Sequence, residues 1–206
     1  MVDYISSKWK IPNLMYPNFF HLQRADIEFA KKENQFDIND NLNEKYFNTV
    51  LKEMEMFFNL YFPDNNDYNI VLQIIEPIDN DLKLIAQDFS LYDDKNVEKI
   101  ADFSYVQSNV CFRRIHASKV HEQWFSTNKR DFDMHYLFKM IANQDFPNLK
   151  PQLMIRGEIY TFNLYFVNDK VIYSPYDDRG AELKFFDNVD YLNFIEKYPE
   201  YLHQSF

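Results

Sequence analysis

The apolar positions of the chain follow two different periods, which predict both strands and helices. An apolar–polar alternation over residues 25–30 predicts a short strand, and the polar residues 31–39 after it predict a loop. The β-branched run 68–76, ended by Pro77, predicts a buried strand. Residues 105–115 predict one more strand, and no firm period governs the rest of this middle region. These segments therefore predict strands separated by loop.

The clearest helical pattern lies between the first two predicted strands. From Tyr46 onward, aromatic and aliphatic residues recur at helical spacing as far as Pro63. Asn41 with Glu44 three residues later has the form of a capping box. We expect a long helix over residues 42–62 whose aromatic stripe packs into the core.

Two shorter helices are predicted in the C-terminal half. Over residues 133–143, Met134, Leu137, Met140 and Ile141 share one helical face. Near the end of the chain, Asp187 has the position of an N-cap, and Pro199 ends the helix that follows.

The C-terminal quarter also predicts a meander of three antiparallel strands. Residues 153–167 and 170–176 are aromatic and β-branched, and Asn168–Asp169 between them is typical of a tight hairpin turn. A second turn, over residues 177–180, leads into a strand over 181–186. The fold class predicted is α+β: an antiparallel sheet packed against the long helix and the shorter ones.

Composition and charge narrow the class of protein. The 206 residues are 46% hydrophobic and 18% aromatic, enough for a packed interior, and we expect a single domain over residues 1–206. The net charge of −10 repels a phosphate backbone and favours encounter with a basic partner, so nucleic acid is not an expected ligand. Cys111 is the only cysteine, and neither a signal sequence nor an 18-residue apolar run is present, so we expect a cytoplasmic protein with no membrane partner.

The glycine count excludes several classes of enzyme. Only Gly157 and Gly180 are present, where average usage would give about 14. Dinucleotide folds, P-loops and kinase loops need several glycines so that backbone amides can close around phosphate, and a G-x-S-x-G nucleophile elbow needs two at fixed spacing. None of these motifs occurs, and no cofactor is expected.

The C-terminal segments 173–180 and 195–202, with the sequence Y-D-D-R-G at residues 176–180, resemble a family of uncharacterised bacterial proteins, domain of unknown function 3885. Residues 24–29 and 141–146 carry weaker similarity to the same family. Members look like accessory or immunity proteins, some beside secreted toxins, so the resemblance implies an interaction role and brings no catalytic residue. Pro175 replaces an ordinary strand former of the family pattern, which predicts an edge strand.

The signature itself admits two interpretations. Asp177 and Asp178, with Arg179 and the E-x-K of residues 182–184, are similar to a divalent-metal hydrolase, in which carboxylates hold the ion and Arg179 stabilises charge. Such elements usually stand on separate strands, and here they are a few residues apart. The alternative is a turn in which both aspartates accept backbone amides, Arg179 pairs with a carboxylate and Gly180 has a positive φ. We favour the turn.

Zinc and thiol chemistry are not expected. His116 and His121 are five residues apart, which puts them on different faces of a helix or a strand, and His135 with Glu122 adds no known ligand spacing. Cys111 lies in an apolar run, as inert core cysteines usually do. No metal site and no catalytic residue are therefore predicted.

Acidic residues at predicted turns are candidates for a partner-binding surface. The turn aspartates are Asp64, Asp67, Asp79, Asp81, Asp93 and Asp94. The residues predicted to bind a partner are Asp79, Asp81, Asp93, Asp94, Asp177, Asp178 and Arg179. The leading hypothesis is an immunity or antitoxin-like protein that neutralises a cognate toxin of basic charge by direct contact. The alternatives are a metal-assisted hydrolase using Asp177 and Asp178, and a non-catalytic regulatory adaptor.

Overall fold

The computed structural model describes residues 22–63, 67–77, 98–111, 114–127, 132–155 and 157–203, with the backbone alone at 76–77, 98–103, 105–111 and 114–118. The strands are β1 (Gln23–Glu28), β2 (Tyr68–Pro77), β3 (Glu98–Cys111), β4 (Arg114–Thr127), β5 (Met154–Ile155), β6 (Glu158–Ile159), β7 (Thr161–Val167), β8 (Val171–Pro175) and β9 (Gly180–Phe185). The helices are α1 (Glu44–Tyr61), α2 (Met134–Ala142) and α3 (Asn188–Lys197), and a 3-10 turn (Pro199–Tyr201) follows α3.

Seven of the strands form one sheet in the order β1-β9-β8-β7-β2-β4-β3, and every neighbouring pair is antiparallel. Strands β5 and β6 form a separate small hairpin. The C-terminal strands β7, β8 and β9 are consecutive neighbours, so the predicted meander is confirmed. The α+β fold class is confirmed with it.

The core lies between α1 and one face of this sheet. The buried residues of α1 are Tyr46, Val50, Leu51, Met54, Phe57 and Phe58. The ring centroid of Phe58 lies 5.6 Å from that of Phe138 on α2 and 5.0 Å from that of Phe166 on β7. The buried hydroxyl of Tyr173 donates to the main-chain oxygen of Met54 at 3.1 Å, which fixes α1 above β8. No helix in the described ranges is long and apolar enough to cross a membrane.

The three predicted helices are confirmed, but the capping box is wrong. Asn43, not Asn41, is the N-cap of α1, and its side chain accepts from the amide of Lys45 at 3.0 Å. The amide of Asn41 donates instead to Asp37 at 2.9 Å, within the loop before the helix. A local turn in the loop therefore engages Asn41, and the helix begins at Glu44, two residues later than predicted. Asp187 caps α3 as expected, and the structure shows that Asp133 caps α2.

Two predicted strands are interrupted by chain reversals. Residues 153–167 are not one strand, because the chain turns at Gly157 (φ 87°) between β5 and β6 before β7 begins. Residues 105–115 contain the end of β3 and the start of β4, where Cys111 pairs with Arg114. Apolar composition alone does not mark a reversal when both arms have β-forming residues.

The prediction of an edge strand from Pro175 is wrong. Strand β8 lies inside the sheet, between β9 and β7. Pro175 is tolerated because the pairing of β8 with β7 ends at Tyr173, so the proline lies beyond the last paired residue on that side.

Candidate functional site

The signature segment 176–180 forms the turn between β8 and β9. The amide of Tyr176 donates to the oxygen of Gly180 at 3.1 Å, which closes the turn. Inside it, Asp177 Oδ1 accepts from the amide of Arg179 at 2.7 Å, the local hydrogen bond for which aspartate is favoured in turns. This part of the turn interpretation agrees with the structure.

Gly180 is required for a reason other than the one predicted. Its φ is not in the positive range, so that prediction is wrong. A Cβ at this position would lie 2.2 Å from the main-chain oxygen of Ile27 and 2.4 Å from the hydroxyl oxygen of Tyr176. The glycine permits a close approach between β9 and the end of β1.

Asp178 is fully buried beneath the turn. Its Oδ2 accepts from Gln35 Nε2 at 2.7 Å, and its main-chain oxygen accepts from the Tyr46 hydroxyl at 3.1 Å. Its Oδ1 has no hydrogen-bond partner among the described residues. Burial raises the pKa of the Asp178 carboxyl, and the hydrogen bond from Gln35 opposes that shift. The expectation that this carboxylate accepts turn amides is therefore replaced by a contact from the loop after β1, while Tyr46 of α1 holds the main chain of the same residue.

Arg179 joins Asp177 of the turn to Asp145 in the segment after α2. Its Nε donates to Asp177 Oδ2 at 2.8 Å, and its Nη2 contacts the same oxygen and Asp145 Oδ2, the latter at 3.3 Å. The hydrogen bond with Asp177 raises the pKa of the guanidinium still further above its ordinary value. Carboxylate oxygens of Asp145, Asp177 and Asp178 lie within 4.8 Å of one another, and we call this set the carboxylate cluster. A cation is already present there, because the guanidinium bridges two of the three carboxylates.

This arrangement joins four parts of the chain. Gln35 belongs to the loop after β1, Tyr46 to α1, and Asp145 to the segment after α2, where Gln144 also donates to the Tyr176 oxygen at 3.1 Å. Sequence reasoning missed Gln35, which no pattern marks. Tyr46 appeared only as part of the core stripe, and Asp145 only within the weaker family similarity. Chemically, an ion pair joins Asp145, Arg179 and Asp177 in the cluster, and Asp178 beside it is held by Gln35 with one carboxylate oxygen left without a partner among the described residues.

The structure brings together three of the predicted partner-binding residues, Asp177, Asp178 and Arg179. The first two are buried and Arg179 is 64% exposed, so only the guanidinium is open to direct contact. The other predicted residues, Asp79, Asp81, Asp93 and Asp94, lie outside the described residues, as does Asp64. Their role in binding stays a prediction.

The described histidines His121 and His135 are not part of the carboxylate cluster. His121 Nδ1 is 2.9 Å from Ser104 Oγ, whereas the neighbouring Glu122 accepts from Gln73 and Trp124, at 2.7 Å each, on the other face of the sheet. His135 Nδ1 is 2.8 Å from Glu55 on α1. The side chains of Cys111 and His116 are outside the described part of the structure.

An open groove of about 630 Å³ runs beside the turn, lined by Gln35, Tyr46, Tyr176 and Arg179 among others. Its cations have partners: Arg24 pairs with Asp26 at 2.9 Å, Lys31 pairs with Glu28 at 3.3 Å, and Arg179 pairs with Asp177. The groove therefore has no strong excess of either charge with which to select an ionic ligand.

Comparisons with known proteins agree with the family resemblance. The model of the family described as domain of unknown function DUF3885 matches residues 5–204. A curated relative, "Uncharacterized protein YnaE" of Bacillus subtilis (strain 168), is 26% identical over 215 residues, which cover 99% of this chain and 97% of that protein. No solved structure matches the chain.

Proposed function

Since the chain belongs to the family described as domain of unknown function DUF3885, whose description assigns no activity, we propose its function from charge and geometry. The protein is an immunity or antitoxin-like binding protein. It neutralises a cognate bacterial toxin of basic charge in the cytoplasm, by direct protein–protein contact and without catalysis.

The observation that carries this proposal is the position of Arg179 in the carboxylate cluster. A metal-assisted hydrolase needs a coordination position that is open to an ion and its water. Here the guanidinium bridges Asp145 and Asp177, and Asp178 is buried and bonded to Gln35. The cluster therefore favours an architectural role over a catalytic one.

The charge of the chain supports a basic partner. A net charge of −10 accelerates encounter with a protein of opposite sign and disfavours encounter with nucleic acid. Carboxylates on the surface of such an inhibitor take the place of the phosphates that a basic nuclease would bind. Affinity then depends on apolar anchors within the contact, because exposed charge pairs contribute little each.

The test is rescue of cells that express the product of the adjacent gene, with and without this protein, followed by co-purification at low and high salt. We expect survival and a complex that weakens as salt rises. An unrelated basic protein serves as the control for non-specific attraction. No toxicity and no complex would reject the proposal and favour the regulatory adaptor, which would bind a housekeeping protein instead.

A metal-assisted hydrolase remains the second candidate because the three carboxylates lie within 4.8 Å of one another. For an ion to bind there, Arg179 would have to leave the cluster. Calorimetric titration with magnesium, manganese and zinc decides between the two functions. Under the binding proposal, neither heat of binding nor a change in melting temperature is expected.

A further inference from the structure

The seven-stranded sheet has two edge strands, and the fold protects one of them along its length. At this edge, β1 is only 6 residues long and has a charged residue at every second position. The segment after α3 also covers it, because Leu202 forms a bridge with Ile27 and the amide of His203 donates to the main-chain oxygen of Asp26 at 2.9 Å. A short strand, charges and a covering segment are means by which proteins prevent an edge from pairing with another chain.

The other edge strand, β3, is 14 residues long and, among the described residues, pairs only with β4. Its protection is confined to its first residues, where Glu98 and Lys99 stand and where the register with β4 shifts between Lys99 and Ala101, as at a bulge. Beyond this point the register is regular to the end of the strand. After Asp102, the stretch 103–111 contains no charged residue, no proline and no glycine. Its outer edge is therefore suited to pairing with a further strand.

The far end of β3 extends beyond the strands that support the rest of the sheet. Strand β2 ends at Pro77, which lies opposite Ser118 of β4. Residues 114–117 of β4 therefore pair, among the described strands, with residues 108–111 of β3 alone, and the two segments form a projecting ribbon. Two-stranded ribbons are marginally stable in water, and a third strand stabilises them. A strand that pairs with the outer edge of β3 supplies that third strand.

A second copy of the chain fits this edge. When two identical strands pair antiparallel about a two-fold axis, the central residue lies opposite itself. The middle of the uncharged stretch 103–111 is Gln107, and pairing centred there places no two like charges opposite each other within the stretch. It also brings Asp102 to the end of the other copy's ribbon, where Arg114 begins β4. Residues of opposite charge therefore lie at both ends of the pairing.

We propose that the outer edge of β3 is the interface of a homodimer, in which residues 103–111 of two copies pair antiparallel about Gln107. The two seven-stranded sheets become one continuous sheet, and each projecting ribbon gains a third strand. The inference does not depend on the proposed function, since it concerns contact between two copies of this chain. Pairing over this single stretch is smaller than a standard protein–protein interface, so the expected dissociation constant is about 10 μM.

Light scattering of the wild-type chain over about 1–100 μM tests the dimer without any variant. The measured mass should rise with concentration from 25.1 kDa, the mass of one chain, towards twice that value. The salt concentration is kept at about 0.15 M, where repulsion between two chains of net charge −10 is screened beyond roughly 8 Å. The mass of a single chain at every concentration would overturn the inference.

Two glutamine-to-lysine variants locate the interface. Gln107→Lys puts two like charges opposite each other at the centre of the pairing, and its dimer should be about five-fold weaker than that of the wild-type chain. Gln23→Lys is the matched control, because it makes the same change at an exposed position on the protected edge strand β1. Its dimer should be within about two-fold of the wild type in affinity. Equal weakening in the two variants would overturn the inference.

Mixing two variants distinguishes loss of pairing from loss of folding. Gln107→Lys and Gln107→Glu each pair weakly with themselves, but an equimolar mixture places lysine opposite glutamate and should regain the wild-type affinity to within about two-fold. A variant that had failed to fold would not be rescued in this way. A mixture that associates no more tightly than either variant alone would overturn the pairing about Gln107.

The dimer and the proposed function fail in different ways. If the wild-type chain is a monomer and still neutralises a toxin, the dimer is wrong and the immunity function stands. If toxin binding is then lost in Gln107→Lys and kept in Gln23→Lys, the outer edge of β3 pairs with a strand of the toxin instead. If the chain dimerises through β3 and no toxin is found, the function alone fails.

Discussion

Replacing Gly180 by alanine tests the close approach of β9 to β1. The added Cβ would lie 2.2 Å from the main-chain oxygen of Ile27, whereas ordinary contact begins at 3.4 Å. The Tyr176 hydroxyl, at 2.4 Å, can move because it ends a side chain. The Ile27 oxygen cannot move alone, because it belongs to a strand paired with β9 from Gln23 to Glu28. Relief requires the two strands to separate by about 1 Å.

The expected cost follows from that separation. Overpacking against a fixed backbone costs typically 1–3 kcal/mol, and here the displaced strand also holds the signature turn through the bond from the Phe29 amide to the Arg179 oxygen at 2.8 Å. We expect the free energy of unfolding to fall by about 3 kcal/mol. For a chain of this length, the melting temperature should fall by roughly 6–12 °C.

The other glycine supplies the control. Gly157 has φ +87° but no atom within 4 Å of an added Cβ, so Gly157→Ala has backbone strain without a clash. Its expected cost is about 1 kcal/mol. Thermal and urea denaturation of both variants should therefore rank Gly180→Ala as clearly the more destabilised. The reasoning is refuted if the two variants are equal or if Gly157→Ala is the worse.

Three further substitutions test the contacts of the carboxylate cluster. Arg179→Ala should lower the free energy of unfolding by about 1 kcal/mol. This is less than for a fully buried ion pair, because the Arg179 side chain that pairs with Asp177 is 64% exposed. Urea denaturation measures the change, and a loss above about 3 kcal/mol would contradict the prediction. Because burial raises the pKa of Asp178, the native state binds the carboxyl proton more tightly than the unfolded state does. The wild-type protein should therefore lose stability relative to Asp178→Asn as the pH rises from 3.8, the ordinary pKa of aspartate, through the raised pKa. A difference in stability that does not depend on pH would contradict this prediction. Tyr46→Phe removes the buried hydrogen bond to the Asp178 main chain and should cost about 1 kcal/mol, while Tyr136→Phe, at a half-exposed position on α2, should cost nothing measurable by the same denaturation assay.

Local pattern predicted most of the secondary structure because helices and strands have different residue patterns. The apolar stripe from Tyr46 to Phe58 at helical spacing predicted α1, and the continuous β-branched run 68–76 predicted β2. Predictions failed where two local patterns compete. The cap moved from Asn41 to Asn43 because the amide of Asn41 bonds to Asp37 within the loop. The strand predicted over 105–115 proved to contain the ends of two paired strands because both of its arms favour strand.

The candidate site likewise has one part that local sequence predicts and another that depends on tertiary contacts. The sequence by itself determined that Asp177, Arg179 and Gly180 form a turn, because an aspartate bonding the amide two residues on is a local interaction. Only the tertiary structure decided that Gly180 serves a close approach and that Asp178 is buried under Gln35 and Tyr46. It also decided that Asp145 joins the carboxylate cluster. Those contacts join residues more than 30 positions apart, so their geometry depends on how α1, α2 and the sheet pack, which no local pattern encodes.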